Sequence, residues 1–389
     1  MEKTQLLEGF KKVFGAPGER VFFSPGRINL IGEHTDYNGG KVFPCAITMG
    51  TYAVVSMRDD QSVYAYSANF PDDGMLNFEL ADIEYNKTDK WTNYLKGMFL
   101  YLQQKFGELP NGLNMYIYGT IPNGASLSSS ASLEVLTGVI IRECFNLDIP
   151  QLDIVKLGMK TENEFLGLNS GILDQFAVGM AKKEHAMLLD TNTLDYEQVP
   201  VELPDHKIII MNSMTRRELV DSEYNLRREQ CEEALKQLQT DIDVPSLGSL
   251  SAEEFEAHKT SIQEDVLLRR AKHAVYENIR TNQAANALKT SDLKTFGQLM
   301  NESHRSLKND YEVTVKETDL LVSLAWEQSG VIGARMTGGG FGGCCIAIVE
   351  DAKVDTFIGQ VGKRFEQEIG HSAEFYIAET ADGTKEWDA

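Results

Sequence analysis

Helix and strand cues alternate along the first half of the chain. The opening MEKTQLLEGFKKVFG is amphipathic and predicts a short helix to about Phe14, followed by a strand over Arg20–Ser24. A stretch dense in glycine and polar residues, 25–40, reads as a loop. The β-branched and aromatic runs 52–57 and 62–67 predict strands, as does the alternation over 112–119. Helices are expected over 91–106, 128–144, 151–167 and 171–182. After residue 195 the texture changes. A buried strand is expected over 207–212, then long charge-rich helices over 218–238 and 264–281 with an acidic, weakly patterned segment between them. Further helices fall at 291–300 and 318–328, and an apolar strand at 344–349. This change places a domain boundary near 195 and divides the chain into 1–195 and 196–389.

Composition narrows the class. At 389 residues, 42% hydrophobic and 24% charged, the chain is ordinary for a globular protein with two or three cores. It has no apolar run long enough to span a bilayer, and its first residues carry no signal-like apolar segment, so a cytosolic protein without a membrane partner is expected. Five cysteines without C-x-x-C spacing fit reduced, mostly buried thiols better than disulfides or a zinc site. A net charge of −21 argues against nucleic acid as a partner. Any anionic ligand must therefore be captured by local donors or by a metal ion.

Three glycine-bearing stretches carry candidate chemistry. The first, SPGRINLIGEHTDYNGG, gathers Arg27, Glu33, His34, Thr35 and Asp36, which offer the close-set donors and acceptors that a polyhydroxylated ligand requires. On composition alone a solvated loop explains it better. The second, NGASLSSSASLEV, runs from Gly124, Ala125, Ser126 and Leu127 into Ser128, Ser129 and Ser130 at the start of an apolar helix. A glycine-containing loop at a helix N-terminus suits a phosphate. The serines could simply cap the helix, but three in a row exceed that need, and a first-turn hydroxyl could reach a phosphate-bound Mg²⁺. The third, MTGGGFGGCC, matches G-x-G-x-x-G, yet a helix is expected before it and a strand after it, which is the wrong context for a dinucleotide fold. Its glycines instead allow close approach to a ligand or a facing loop, or serve a purely structural turn, which would seldom need so many. Two acids stand apart. Glu162 sits among charges on an expected solvated helix face, and Asp174 sits in an apolar stretch as either a cap or a functional carboxylate.

Taken together, these segments resemble a known family. GRINLIGEHTDYNGG is similar to the galactokinase signature, SLSSSASLEV to the phosphate loop of the GHMP kinase superfamily, and ARMTGGGFGGCC to its third motif. WTNYLKG, ENEFLGLNSGILDQF, DSEYNLRREQC and ESHRSLKNDYEVT resemble galactokinase segments in family order, so the match spans nearly the whole chain. The resemblance implies an α+β, two-domain GHMP kinase fold: an N-terminal ribosomal-S5-like domain, a C-terminal ferredoxin-like domain and a site between them. It implies transfer of the ATP γ-phosphoryl group to the C1 hydroxyl of α-D-galactose. It also makes Arg27 and Asp174 catalytic and assigns Glu33, His34, Thr35, Asp36, Asp174 and Tyr224 to the sugar. Residues 124–130 would cradle the triphosphate, Ser130 and Glu162 would hold Mg²⁺, and Ser67 would contact the nucleotide.

One position departs from the family. Ser126 stands where the family has glycine before LSSSA, so a left-handed backbone there would be strained and ATP use weakened, unless the serine itself donates to a phosphate. Competing readings are a kinase of N-acetylgalactosamine or another sugar and a non-catalytic galactose sensor. The first motif favours galactose over another sugar, and retention of Arg27, Ser130, Glu162 and Asp174 favours an enzyme over a sensor. A monomer is expected.

Overall fold

The computed structural model describes residues 2–122, 124–215 and 220–387. Its first half is built on a six-stranded sheet. The strands lie in the order Lys385–Glu386, Arg20–Asn29, Pro44–Met57, Leu113–Gly119, Ser62–Ser67, Met75–Glu79, and only the Ser62–Ser67 and Leu113–Gly119 neighbours run parallel. Alternation decides which side each residue serves. Phe22, Ala53 and Val55 join the core under the helices Thr92–Phe106 and Ser129–Phe145, whereas Val21 and Val54 pack on Leu6 and Phe10 of the first helix, Lys3–Phe14. The edge strand arrives from far along the chain. Glu386 accepts two hydrogen bonds from the Arg20 guanidinium, 2.7 Å from Nε and 2.5 Å from Nη2, and the Trp387 N–H donates to the Val21 carbonyl at 2.8 Å.

The first strand runs on to Asn29, five residues beyond its expected end. Pro25-Gly26 is a bulge rather than a stop, because the register with Pro44–Met57 shifts between those two residues and then resumes. A Cβ on Gly26 would lie 2.8 Å from the Leu127 carbonyl. Glycine there brings the serine-rich loop against the strand, where the Arg27 N–H donates to that same carbonyl at 3.2 Å.

The second half carries an all-antiparallel four-stranded sheet ordered Val331–Met336, Cys344–Glu350, His206–Asn212, Glu374–Ala378. In chain order these are the second, third, first and fourth strands. Helices fall between the first and second and between the third and fourth, which gives the β-α-β-β-α-β ferredoxin-like pattern. Ile209 and Met211 face a core with the helices Val220–Leu238, Asp265–Lys289, Lys316–Trp326 and Val354–Ile369, while Ile208 and Ile210 share a core with Ile28, Leu30 and Ile31 of the first half. The halves are therefore joined through apolar packing behind the first motif. A third sheet pairs Lys41–Val42 with His185–Asp190 and Tyr196–Pro200. Mixed helices and largely antiparallel sheets make this the expected α+β architecture.

The third motif differs from expectation. The strand Val331–Met336 precedes it directly, so MTGGGFGG is the turn of a hairpin. Four of the five cysteines are buried and none is bonded to another. Among the described residues no helix is long and apolar enough to cross a membrane.

Candidate active site

The three motifs meet at a cavity of about 410 Å³. Strand geometry aims Arg27 into it, and the guanidinium grips Asp174 with two bonds, Nε to Oδ1 at 2.8 Å and Nη2 to Oδ2 at 2.9 Å. Its third nitrogen, Nη1, donates to the Ser126 carbonyl at 2.8 Å. Asp174 lies in the first turn of the Leu173–Met180 helix, but Ile172 is the N-cap, so of the two readings left open the capping one fails. The carboxylate instead faces the cavity with about a third of its side chain exposed.

The serine-rich loop reaches its helix through two left-handed residues, Ser126 at φ 57° and Ser128 at φ 61°. The left-handed backbone that the family's glycine would favour is thus present at Ser126, held by a serine. The side chain of Ser126 turns toward the third motif: a Cβ on Gly343 (φ 76°) would come within 2.7 Å of Ser126 Oγ. The capping reading of the serines also fails. Ser128 is the N-cap of Ser129–Phe145 but makes no side-chain capping bond, and its hydroxyl donates to Asp174 Oδ2 at 2.6 Å. Ser129 is exposed, and Ser130 donates to Glu162 Oε1 at 3.0 Å.

Glu162 is not on a solvated face. The helix expected to 167 ends at Lys160 and passes into a single π-turn, Thr161–Phe165. That wider turn swings Glu162 inward, where it is buried and lines the cavity. Burial raises its pKa, opposed by the Ser170 hydroxyl. A buried carboxylate next to a hydroxyl at a helix N-terminus has the donor chemistry of a Mg²⁺ site. Among the described residues no cluster of three or more His, Cys, Asp or Glu side chains could hold a metal, so these two oxygens would leave the remaining positions to phosphate and water.

Glu33, His34, Asp36 and Tyr224 line the same cavity as Asp174. His34 (φ 62°) has a fixed tautomer: the Gly339 carbonyl can only accept, so Nε2 carries the proton (3.1 Å), and Nδ1 accepts from the Tyr37 hydroxyl at 2.7 Å. Burial lowers its pKa to about 3, leaving the imidazole neutral. Burial, with the charge of Asp174, raises Asp36 to about 6. Thr35 is turned away, its hydroxyl donating to the Gly32 and Lys41 carbonyls at 2.8 and 2.7 Å. Ser67 also stands apart. It ends its strand opposite Ile117 and does not line the cavity.

Two features escaped the sequence reading. Asn29, Ser170 and Asn225 also line the cavity, beside Gly338 of the third motif. Arg335, fully buried, holds the first motif from behind. It forms an ion pair with Glu33 Oε2 and donates to the Asn29 and Leu30 carbonyls at 3.1 and 3.3 Å, while Gly338 N–H donates to Glu33 Oε1 at 3.0 Å. Glu277 completes this cluster, 3.7 Å from Arg335 and accepting from the Gly32 N–H at 3.0 Å. A lone arginine between Ala334 and Met336 in a strand was the available signal.

Comparison with known proteins bears on this geometry. The model of the galactokinase galactose-binding signature matches residues 8–57, and the models of the GHMP kinase N-terminal and C-terminal domains match 93–182 and 284–367. The chain is 54% identical to a galactokinase of Ligilactobacillus salivarius over 99% of its own length and 100% of that protein's, and 55% identical to one of Lactiplantibacillus plantarum with the same coverage. A crystal structure of Lactococcus lactis galactokinase complexed with galactose superposes with a TM-score of 0.96 at 50% identity, covering 99% of both chains. A mevalonate kinase structure, 18% identical with a TM-score of 0.66 over 94% of this chain and 100% of that one, shares the fold. By its signature, its two kinase domains and relatives of this identity along almost its whole length, the chain belongs to the galactokinase family.

Proposed function

We propose that the cavity transfers the γ-phosphoryl group of ATP to the C1 hydroxyl of α-D-galactose, giving α-D-galactose 1-phosphate and ADP. The observation that carries this reading is the Asp174 carboxylate, gripped by Arg27 and Ser128 where the serine-rich loop meets the first motif. A fixed carboxylate of this kind can accept the proton of a sugar hydroxyl as its oxygen bonds to phosphorus and the bridging bond to ADP breaks. Arg27, two of whose nitrogens are engaged by Asp174, sets the orientation of that base and places positive charge beside the transferring group. The first-turn N–H groups after Ser128, with the backbone of 124–128, would receive the phosphates, supplying locally the attraction that a net charge of −21 denies globally. Ser130 and Glu162 would hold Mg²⁺, which when bound neutralises phosphate charge. Glu33, Asp36 and Tyr224 would take the sugar hydroxyls. His34 lines the same pocket but has no donor or acceptor free for them, since Nε2–H is given to Gly339 and Nδ1 accepts from Tyr37. We place the division of the chain near residue 195, between the two kinase-domain matches.

The test is Mg²⁺-dependent ADP release with galactose, N-acetylgalactosamine, glucose and no sugar in parallel. Release stimulated by galactose alone, and reduced about 10²–10⁴-fold in Asp174→Asn, is expected. Galactose binding without ADP release would overturn the catalytic assignment in favour of a sensor.

A further inference from the structure

Behind the catalytic aspartate lies a carboxyl group that the reaction does not use. Glu134, on the second turn of the Ser129–Phe145 helix, is completely buried, and so is Gln175, the neighbour of Asp174 on the Leu173–Met180 helix. Gln175 Nε2 donates to Glu134 Oε2 at 2.9 Å. The remaining oxygen of each side chain, Glu134 Oε1 and Gln175 Oε1, is buried without a partner. Two orphaned acceptors on one contacting pair are what an ionised acid would leave, and a single proton removes both. Carried on Glu134 Oε1, it donates to Gln175 Oε1 and closes a ring of two opposed hydrogen bonds.

We propose that Glu134 is a neutral carboxylic acid, paired in both directions with the Gln175 carboxamide, and that this pair positions the helix bearing Asp174 against the helix of the phosphate loop. The positioning role rests on the function proposed above; the protonated pair does not.

Charge distribution agrees with the geometry. Burial is the largest influence favouring the neutral form, and the nearby carboxylates of Glu162 and Asp174 act in the same direction. The cations on the packed elements are engaged elsewhere or solvated: Arg27 with Asp174, Arg20 with Glu386, Lys96 with the Glu84 carbonyl at 3.0 Å, Lys105 with Asp153, Lys160 with Glu164, and Lys385 with Asp382, while Lys156 is exposed. The third helix of the group, Gln151–Lys160, makes room for the pair with Gly158, where a Cβ would stand 3.0 Å from Gln175 Cγ and 3.5 Å from Glu134 Oε2.

The experiment is infrared difference spectroscopy of the whole protein in heavy water at neutral pH, wild type against Glu134→Gln. A protonated-carboxyl stretch present in wild type and missing from the variant is expected, and its absence from wild type overturns the neutral acid whether or not the protein is a kinase. The positioning role is read from kinetics. Glu134→Gln keeps the two-way pairing as an amide pair and should hold kcat within about twofold, whereas Glu134→Leu should lower kcat about tenfold with KM for galactose unchanged. Equal kcat in the two variants, or a parallel rise of KM, overturns that role. If Glu134→Leu fails to fold, Glu134→Met replaces it under the same criteria.

Discussion

Replacing Glu33 with Gln tests whether the cluster behind the first motif is an energetic anchor. Glu33 and Arg335 are 3% and 0% exposed, and each Glu33 oxygen has its own donor: Gly338 N–H on Oε1 and the Arg335 guanidinium on Oε2. An amide offers one acceptor and one donor. Whichever way it turns, its NH₂ faces a donor, so one bond is lost outright. A charge-assisted bond contributes about 1.5–3 kcal/mol, and stripping a buried charge of its partner costs about 3–5 kcal/mol. Glu277, 3.7 Å from Arg335, remains as a second counter-charge. That places the expected loss near the lower end, about 3 kcal/mol. Denaturant titration measures it as a fall in the unfolding midpoint at unchanged slope. Because Glu277 is the reserve, Glu33→Gln/Glu277→Gln should lose more than the sum of the single variants. A single-variant loss below about 1 kcal/mol, or additivity within about 0.5 kcal/mol, would refute the reasoning.

Three further outcomes follow from the site. Arg27→Lys cannot reproduce the two-pronged grip on Asp174, so kcat should drop at least tenfold with a smaller change in galactose KM; steady-state kinetics check this. Asp36, raised from 3.8 to about 6, favours the folded state while protonated; that contribution is complete below about 3.8 and is lost as pH rises through about 6. The stability of Asp36→Asn relative to wild type should therefore grow between pH 4 and 6, and a constant difference in melting temperature across that range would count against it. For Ser126→Gly, relief of left-handed strain of about 1 kcal/mol is offset by a similar entropic cost in the unfolded chain, and the side chain faces Gly343. Unfolding free energy should shift by less than about 1 kcal/mol and ATP KM by less than about twofold; a tenfold change in ATP KM would show that the hydroxyl acts on the nucleotide.

What the sequence disclosed was mostly local. Pattern and residue type located the helix Thr92–Phe106 and the strand Ser62–Ser67 almost to the residue, the strand through its β-branched and aromatic run. Glycine and proline were misjudged where a partner strand overrode them, as at Pro25-Gly26, which bulges within a ladder. The amphipathic helix Val354–Ile369 was legible by period yet passed over, and the short strands His185–Asp190 and Glu374–Ala378 owe their state to their neighbours. Within the site, residue types pointed to the right chemistry, but partners distant in sequence did not declare themselves. Glu162 needed a π-turn to face inward, Ser128 had to be seen beside Asp174 to lose its capping role, and Arg335 acquires meaning only against Glu33, 302 positions away.

The edge strand Lys385–Glu386 has a consequence for the order of events during synthesis. Arg20 and Val21 leave the ribosome hundreds of residues before Glu386 and Trp387, which bond to them. Until then the nascent first sheet presents an unpaired edge along Arg20–Asn29, a surface on which another nascent chain could add a strand. Arg27 lies on that same strand, so the Asp174 carboxylate it grips is seated on a sheet whose edge pairing forms only after residue 386 has been made.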